Sequence, residues 1–412
     1  MTMRGNRARV IGLLAITQVA SWGAIYYAFS VLAPDIQRES GWRSEVVYGA
    51  YSWSLLVAGL LSTPAGMLID RFGGRWVMAG GSITAGLGLL LLGSAASIQV
   101  YFLAWTLLGG AMAFTLYESA FATINRQIPV GSRQAISTLT LFGGFASTVF
   151  WPLTAKLGTT LSWREIYDIY GMFQLLICLP AHLLLPRTSV HEIADQAPDQ
   201  TVLAAKTVTL REALRHSIFW KLAFAFAANA FVFAALSVHL IPILQRFGHS
   251  VAVAVFFAAL VGPMQVLGRI GEMALAKRIT PQTAGKFTFG VLPVALATLA
   301  LAGAQQWVAA IFCVLYGLSN GILTIVRGTV PQTLFGREHY GAISGAMAGP
   351  ALAAKAAAPL VAAALLAVHD WHIALYVLFA GALVSLACYL AAIRAAGTNP
   401  ESVEQDAETA SG

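Results

Sequence analysis

The chain has 412 residues, of which 58% are hydrophobic and only 10% charged. Soluble domains carry about 25% charged residues, so a deficit spread along the whole length excludes an ordinary soluble globule and points to hydrocarbon as the solvent. The formal net charge of +7 would suit nucleic acid, but the basic residues stand at the ends of apolar runs rather than in clusters interleaved with aromatics, which argues against that partner.

A membrane-crossing helix needs roughly 20 mostly apolar residues. The N-terminal MTMRGNRARV has the basic flank of a signal peptide, but the apolar run behind it continues through VLAPD with no clear small-residue cleavage site, so it reads as the first span. Spans are predicted near 10–33, 46–69, 76–95, 99–125, 134–157 and 165–186. They resume near 217–245, 251–272, 284–303, 306–327, 340–367 and 372–394. The chain therefore reads as an all-α membrane protein of twelve transmembrane helices in two pseudo-symmetric bundles of six. The first bundle covers 1–186 and the second 217–396, joined by a polar cytoplasmic loop at 187–216. The acidic, apolar-poor stretch 397–412 reads as a disordered cytoplasmic tail.

Basic residues set the orientation. Arg4, Arg7, Arg9, Arg71, Arg75, Arg126, Arg133 and Arg187 fall on one side, against Arg38, Arg43, Lys156, Arg164 and Arg246 on the other. This asymmetry predicts cytoplasmic N- and C-termini in a cell membrane. The halves also echo each other in order and spacing: TINRQIP at 123–129 matches TIVRGTVP at 324–331, and WPLTA at 151–155 matches APLVA at 358–362. Parallel repeats of this kind belong to transporters, whose ligand sites lie near the bilayer midplane.

Between the second and third spans stands GMLIDRFGGR, with Gly66, Asp70, Arg71, Gly73 and Arg75. In that loop of a six-plus-six chain it resembles the Gly-x-x-x-Asp-Arg-x-Gly-x-Arg motif of the major facilitator superfamily, and the resemblance extends over all twelve spans. Trp76 departs from the pattern, standing where many members carry a second base. The resemblance implies a conformational latch in which Asp70 holds the two halves together on the inside. Electrostatics makes this reasonable, since a helix N-terminus offers unpaired N–H groups and favours an anion. The eleventh span opens GAISGAMAG, and its Gly341, Gly345 and Gly349 are spaced for close helix packing. The equivalent loop of the second half, GRIGEMALAKR at 268–278, has Lys277 where the acid would stand.

An ionisable residue inside a span is a functional hypothesis by default. Lys355 lies sixteen residues into the eleventh span, about 24 Å along its axis at 1.5 Å per residue. Arg269 lies in the eighth span, where it either binds a ligand, snorkels to the headgroups or pairs with Glu272 at i+3. A guanidinium and an ammonium together suit a carboxylate. Within the superfamily the pair is similar to the oxalate:formate antiporter and monocarboxylate porter branch, which has an arginine in the eighth span and, in the oxalate exchangers, a lysine in the eleventh. The acidic-Gly-Gly-Trp opening motif of the monocarboxylate porters is not present.

Trp22 and Tyr26 in the first span, Tyr117 in the fourth, and Tyr316 and Asn320 in the tenth are candidates for the walls of a ligand cavity. Glu118 is either a proton-coupling group or a structural partner of Arg126 or another base, and Asp168 is expected to pair with Arg164 at i−4. Cys178, Cys313 and Cys388 stand singly in apolar segments and read as small buried hydrophobes. No metal-ligand spacing, Walker loop or dinucleotide fingerprint appears, so no metal or cofactor is expected and a self-contained ATP-driven pump is excluded. Gly317-x-Ser319-x-Gly321 matches a hydrolase pattern formally, but it lies inside a span, so no enzyme activity is expected.

The sequence thus predicts secondary transport of a small organic anion through the lipid bilayer, by exchange or with protons. Two alternatives stay open: efflux of drugs or metalloids, and a transporter-like sensor that moves nothing. The fifth span lacks the Gly-Pro-x-x-Gly-Gly cluster of drug:proton antiporters, which counts modestly against the former. No appended signalling domain supports the latter.

Overall fold

The computed structural model describes residues 3–128, 130–186, 208–367 and 372–398. Most of the central polar segment, 187–207, and the tail beyond 398 lie outside the described residues. Among the described residues, twelve helices are long and apolar enough to cross a membrane: α1 (Asn6–Ser40), α2 (Ser44–Phe72), α3 (Gly74–Gly93), α4 (Ile98–Gln127), α5 (Ser132–Leu157), α6 (Trp163–Leu183), α7 (Ser217–Arg246), α8 (Val251–Leu275), α9 (Pro281–Ala302), α10 (Gln306–Phe335), α11 (Tyr340–Leu366) and α12 (His372–Gly397). The protein is a multi-pass, all-helical membrane protein, with no strand among the described residues. Several helices begin at a side chain that accepts a first-turn N–H: Ser97 before α4, Ser162 before α6, Ser250 before α8 and Thr280 before α9. Before α7, Thr209 and Glu212 form a reciprocal capping box on the short helix Leu210–Arg215.

The chain divides into two compact units, 1–207 with 337–349, and 208–336 with 350–412. Helix α11 is therefore shared, and Pro350 marks the division. Within the first unit α2 and α3 pack mainly on α4, and α3 on α6. Within the second, α8 and α9 pack mainly on α10, and α9 on α12. The same pairings recur six helices later, which gives the sequence echoes a structural meaning.

Four spans of the first unit depart from one unbroken α-helix, α5 only at the single turn residue Gly144. Helix α1 carries a π segment at Trp22–Tyr27. Helix α4 is interrupted at Leu116, which is extended at φ −82° and ψ −165°. A second π segment, Gln174–Cys178, lies in α6. Such irregularities occur inside a membrane only where neighbouring groups re-satisfy the backbone, and they often mark functional sites.

Candidate functional site

The turn between α2 and α3 shows why the DRFGGR stretch sits at two helix ends. Gly73 adopts φ +80°, a left-handed conformation that a side chain would strain, so α2 ends at Phe72 and α3 starts one residue later at Gly74. One turn earlier, the Asp70 carboxylate accepts the Gly341 N–H at 3.0 Å and the Ala342 N–H at 2.8 Å. These donors belong to the first turn of α11 and have no intrahelical acceptor. Small residues make the approach possible. A Cβ at Gly66 would overlap the Gly341 backbone, one at Gly345 would overlap the Ser62 carbonyl, and Gly349 lies beside the Gly59 carbonyl. Arg126 donates to the Asp70 carbonyl, and Arg337 donates to the carbonyls of Asn125 at 2.6 Å and Ile128 at 2.9 Å. Arg71 and Arg75 lie over the neighbouring rings of Phe72 and Trp76. A cavity of about 180 Å³ opens beside this turn between Phe72, Arg75, Trp76, Gln127 and Pro186.

Deeper in the first unit, the irregular backbone carries an aromatic cluster. The π segment brings Trp22 and Tyr26 to 5.1 Å between ring centroids, and Trp22 lies 5.1 Å from Tyr117, immediately after the break in α4. Tyr27, Tyr51 and Trp151 extend the cluster. The break frees carbonyls that need donors. Gln18 Nε2 donates to Thr115 at 2.6 Å, and Ser119 Oγ donates to Ala113 at 2.6 Å. Gln18 is fully buried, one helical turn before Trp22. Glu118 stands half-buried in the first turn of the segment that restarts at Tyr117.

In the second unit Arg269 is 6% exposed and Glu272 3% exposed, three residues apart within α8. Lys355 is half-buried within α11. Tyr316 is buried between α7 and α10. Its hydroxyl donates to the Phe233 carbonyl at 3.1 Å and its ring packs against Phe233 and Phe312, so its polar end secures α10 to α7. Asn320, one turn on, is half-buried, and its carbonyl accepts the Thr324 hydroxyl. The Gly317-x-Ser319-x-Gly321 pattern is a helix contact. A Cβ at Gly317 would press on Val261 and Met264, one at Gly321 would overlap Gln265, and Ser319 Oγ donates to the Thr288 carbonyl at 2.9 Å.

Two arginines of the first unit find partners beyond their own helix. Arg164 pairs with Glu39 at 2.9 Å and donates to the Gly93 and Ala95 carbonyls, while its charge still acts on Asp168 one turn along its own helix. Arg126 turns to the Asp70 carbonyl rather than up its own helix towards Glu118. Cys178 and Cys313 are buried thiols and Cys388 is half-buried.

The model of the Major Facilitator Superfamily matches residues 14–354. The chain belongs to the major facilitator superfamily. As a member of that superfamily it is a membrane transporter of small molecules and not an enzyme. This facilitator is 24% identical over 331 residues to monocarboxylate transporter 4 of Rattus norvegicus, covering 77% of this chain and 68% of that protein. It is 22% identical over 318 residues to monocarboxylate transporter 13 of the same species, covering 77% and 71%. Its fold is similar to the human organic anion transporter MFSD10 (TETRAN), with a TM-score of 0.68 at 15% identity, covering 94% of this chain and 100% of that one. It is likewise similar to FucP in the outward conformation, with a TM-score of 0.69 at 14% identity and coverage of 93% and 98%.

Gln18, Tyr27, Tyr51 and Trp151 join the aromatic cluster of the first unit without standing out in the sequence as the other aromatics do. Gln18 carried a usable signal, a lone amide one turn before Trp22 on the same face of an apolar helix.

Proposed function

We propose that this facilitator carries a small mono- or dicarboxylate across the cytoplasmic membrane by alternating access, with Arg269 and Lys355 as the anion-recognising groups. The observation that carries the reading is the placement of two cationic side chains, one buried and one half-buried, within spans of the second unit of a chain that is only 10% charged. Burying a cation in hydrocarbon is costly enough that such groups persist chiefly where they serve a ligand or a partner charge. The guanidinium fork matches the two oxygens of a carboxylate and the ammonium adds a point charge. Names among the relatives, two monocarboxylate transporters and an organic anion transporter, support the same substrate class.

In the first unit, Trp22, Tyr26 and Tyr117 offer faces for the carbon skeleton of the substrate, and Glu118 is assigned as the proton-coupling group. Asp70 acts as the latch, held on Gly341 and Ala342 in one state of the cycle and released in another. Both termini are placed on the cytoplasmic side by the distribution of basic residues.

A thermal-shift panel on the purified protein tests the substrate class, with pyruvate, lactate, oxalate, malonate, arsenite and cationic drugs as probes. Stabilisation by carboxylates alone is expected. Stabilisation by drugs or arsenite alone would instead favour efflux of those compounds.

A further inference from the structure

Pro359 stands four residues after Lys355 in α11. A proline brings no N–H, so it supplies no helical donor to the carbonyl four residues back, and its ring crowds that carbonyl. The turn of α11 that presents Lys355 is therefore less restrained by its own helix than a regular turn. A side chain of α7 reaches the same stretch from outside: His239 Nε2 lies 3.0 Å from the carbonyl of Pro359 itself, one turn beyond the carbonyl of Lys355 that the proline leaves without its helical donor. A carbonyl oxygen only accepts, so Nε2 carries the proton and donates. His239 is half-buried, and Pro242 follows three residues later, so α7 is also interrupted near this contact.

We propose that His239 is a positioning residue, whose Nε2–H pins the proline-weakened turn of α11 to α7 and so fixes where Lys355 presents its ammonium to the transported anion. The proposal rests on the reading of Lys355 as a ligand of that anion. Its chemistry is specific. An amide donor of similar reach preserves the contact, a ring of similar volume without a donor loses it, and an N–H restored at position 359 makes it less necessary. The imidazole itself touches no substrate.

The test combines uptake of radiolabelled pyruvate and oxalate into proteoliposomes with hydrogen–deuterium exchange over residues 351–366. His239→Phe is expected to raise exchange in that segment and to raise Km about tenfold for the transported probe, the effect of one lost hydrogen bond acting through position, with a near-normal maximal rate. His239→Gln should restore both readouts, and adding Pro359→Ala to His239→Phe should bring Km back towards the wild-type value. Unchanged Km and exchange in His239→Phe, where Lys355→Ala abolishes uptake, would overturn the proposal and leave the carboxylate reading intact. A loss of maximal rate at constant Km, unrelieved by either companion change, would overturn it too. Wild-type protein that moves neither probe would overturn the carboxylate reading, and the proposal with it.

Discussion

Asp70 of α2 receives the backbone N–H of Gly341 at 3.0 Å, across a contact where no side chain separates Gly66 from Gly341. An acid at one helix end thus serves as the cap of another helix 271 positions away in sequence. The carboxylate also receives the next N–H, from Ala342 at 2.8 Å, so both oxygens are engaged.

Replacing Asp70 by Asn removes the charge and one acceptor while keeping the shape. Hydrogen bonds to charged groups contribute about 1.5–3 kcal/mol, so the engaged state should lose roughly tenfold to a hundredfold in relative population. In a background without the native cysteines, Ser344→Cys should then react faster with a membrane-impermeant maleimide, since Ser344 is buried in the engaged state. An unchanged labelling rate would argue against the latch.

Gly66→Val should be harmful whatever the substrate. Its side chain would meet the Gly341 backbone, which cannot move aside as a flexible side chain can. Overpacking of this kind costs about 1–3 kcal/mol, and a lowered melting temperature together with reduced uptake should show it. Gly80→Val makes a suitable control, because a Cβ there meets nothing nearby.

Much of this was legible in the sequence, and the particular residues explain why. The spans were legible because apolar runs of the required length have few other uses, and Asp70 was legible because an acid followed within five residues by two arginines is conspicuous in a charge-poor chain. The break at Leu116 was not. Neither proline nor glycine stands there, and the interruption depends on Gln18 and Ser119 supplying donors from other turns. The Glu39 partner of Arg164 was not legible for a related reason: spacing along one helix reports neighbours on that helix, such as Asp168, whereas Glu39 arrives from α1. The bond from the Tyr316 hydroxyl to the Phe233 carbonyl was not legible either, since it crosses from α10 to α7.

The Arg164 contacts lead to a stability prediction away from the proposed ligand groups. Arg164→Lys keeps the charge but cannot reach Glu39 and two carbonyls at once. It should lower stability by about 1–3 kcal/mol through unmet polar groups, measured as a shift in thermal unfolding, while substrate selectivity stays unchanged.

Glu118→Gln separates coupling from binding. If Glu118 carries the proton, the variant should still exchange internal for external carboxylate but should lose accumulation driven by an imposed pH gradient. Equal loss of exchange and of gradient-driven uptake would assign Glu118 a structural role instead.

The central claim is that two intramembrane cations, Arg269 and Lys355, hold a transported carboxylate. Carboxylate exchange in proteoliposomes containing Lys355→Ala or Arg269→Ala, each checked for folding by size-exclusion profile and melting temperature, tests it most directly. Each folded variant is expected to lose at least about 30-fold in uptake, the consequence of removing one partner of a desolvated charge pair. Wild-type uptake in both would contradict the account.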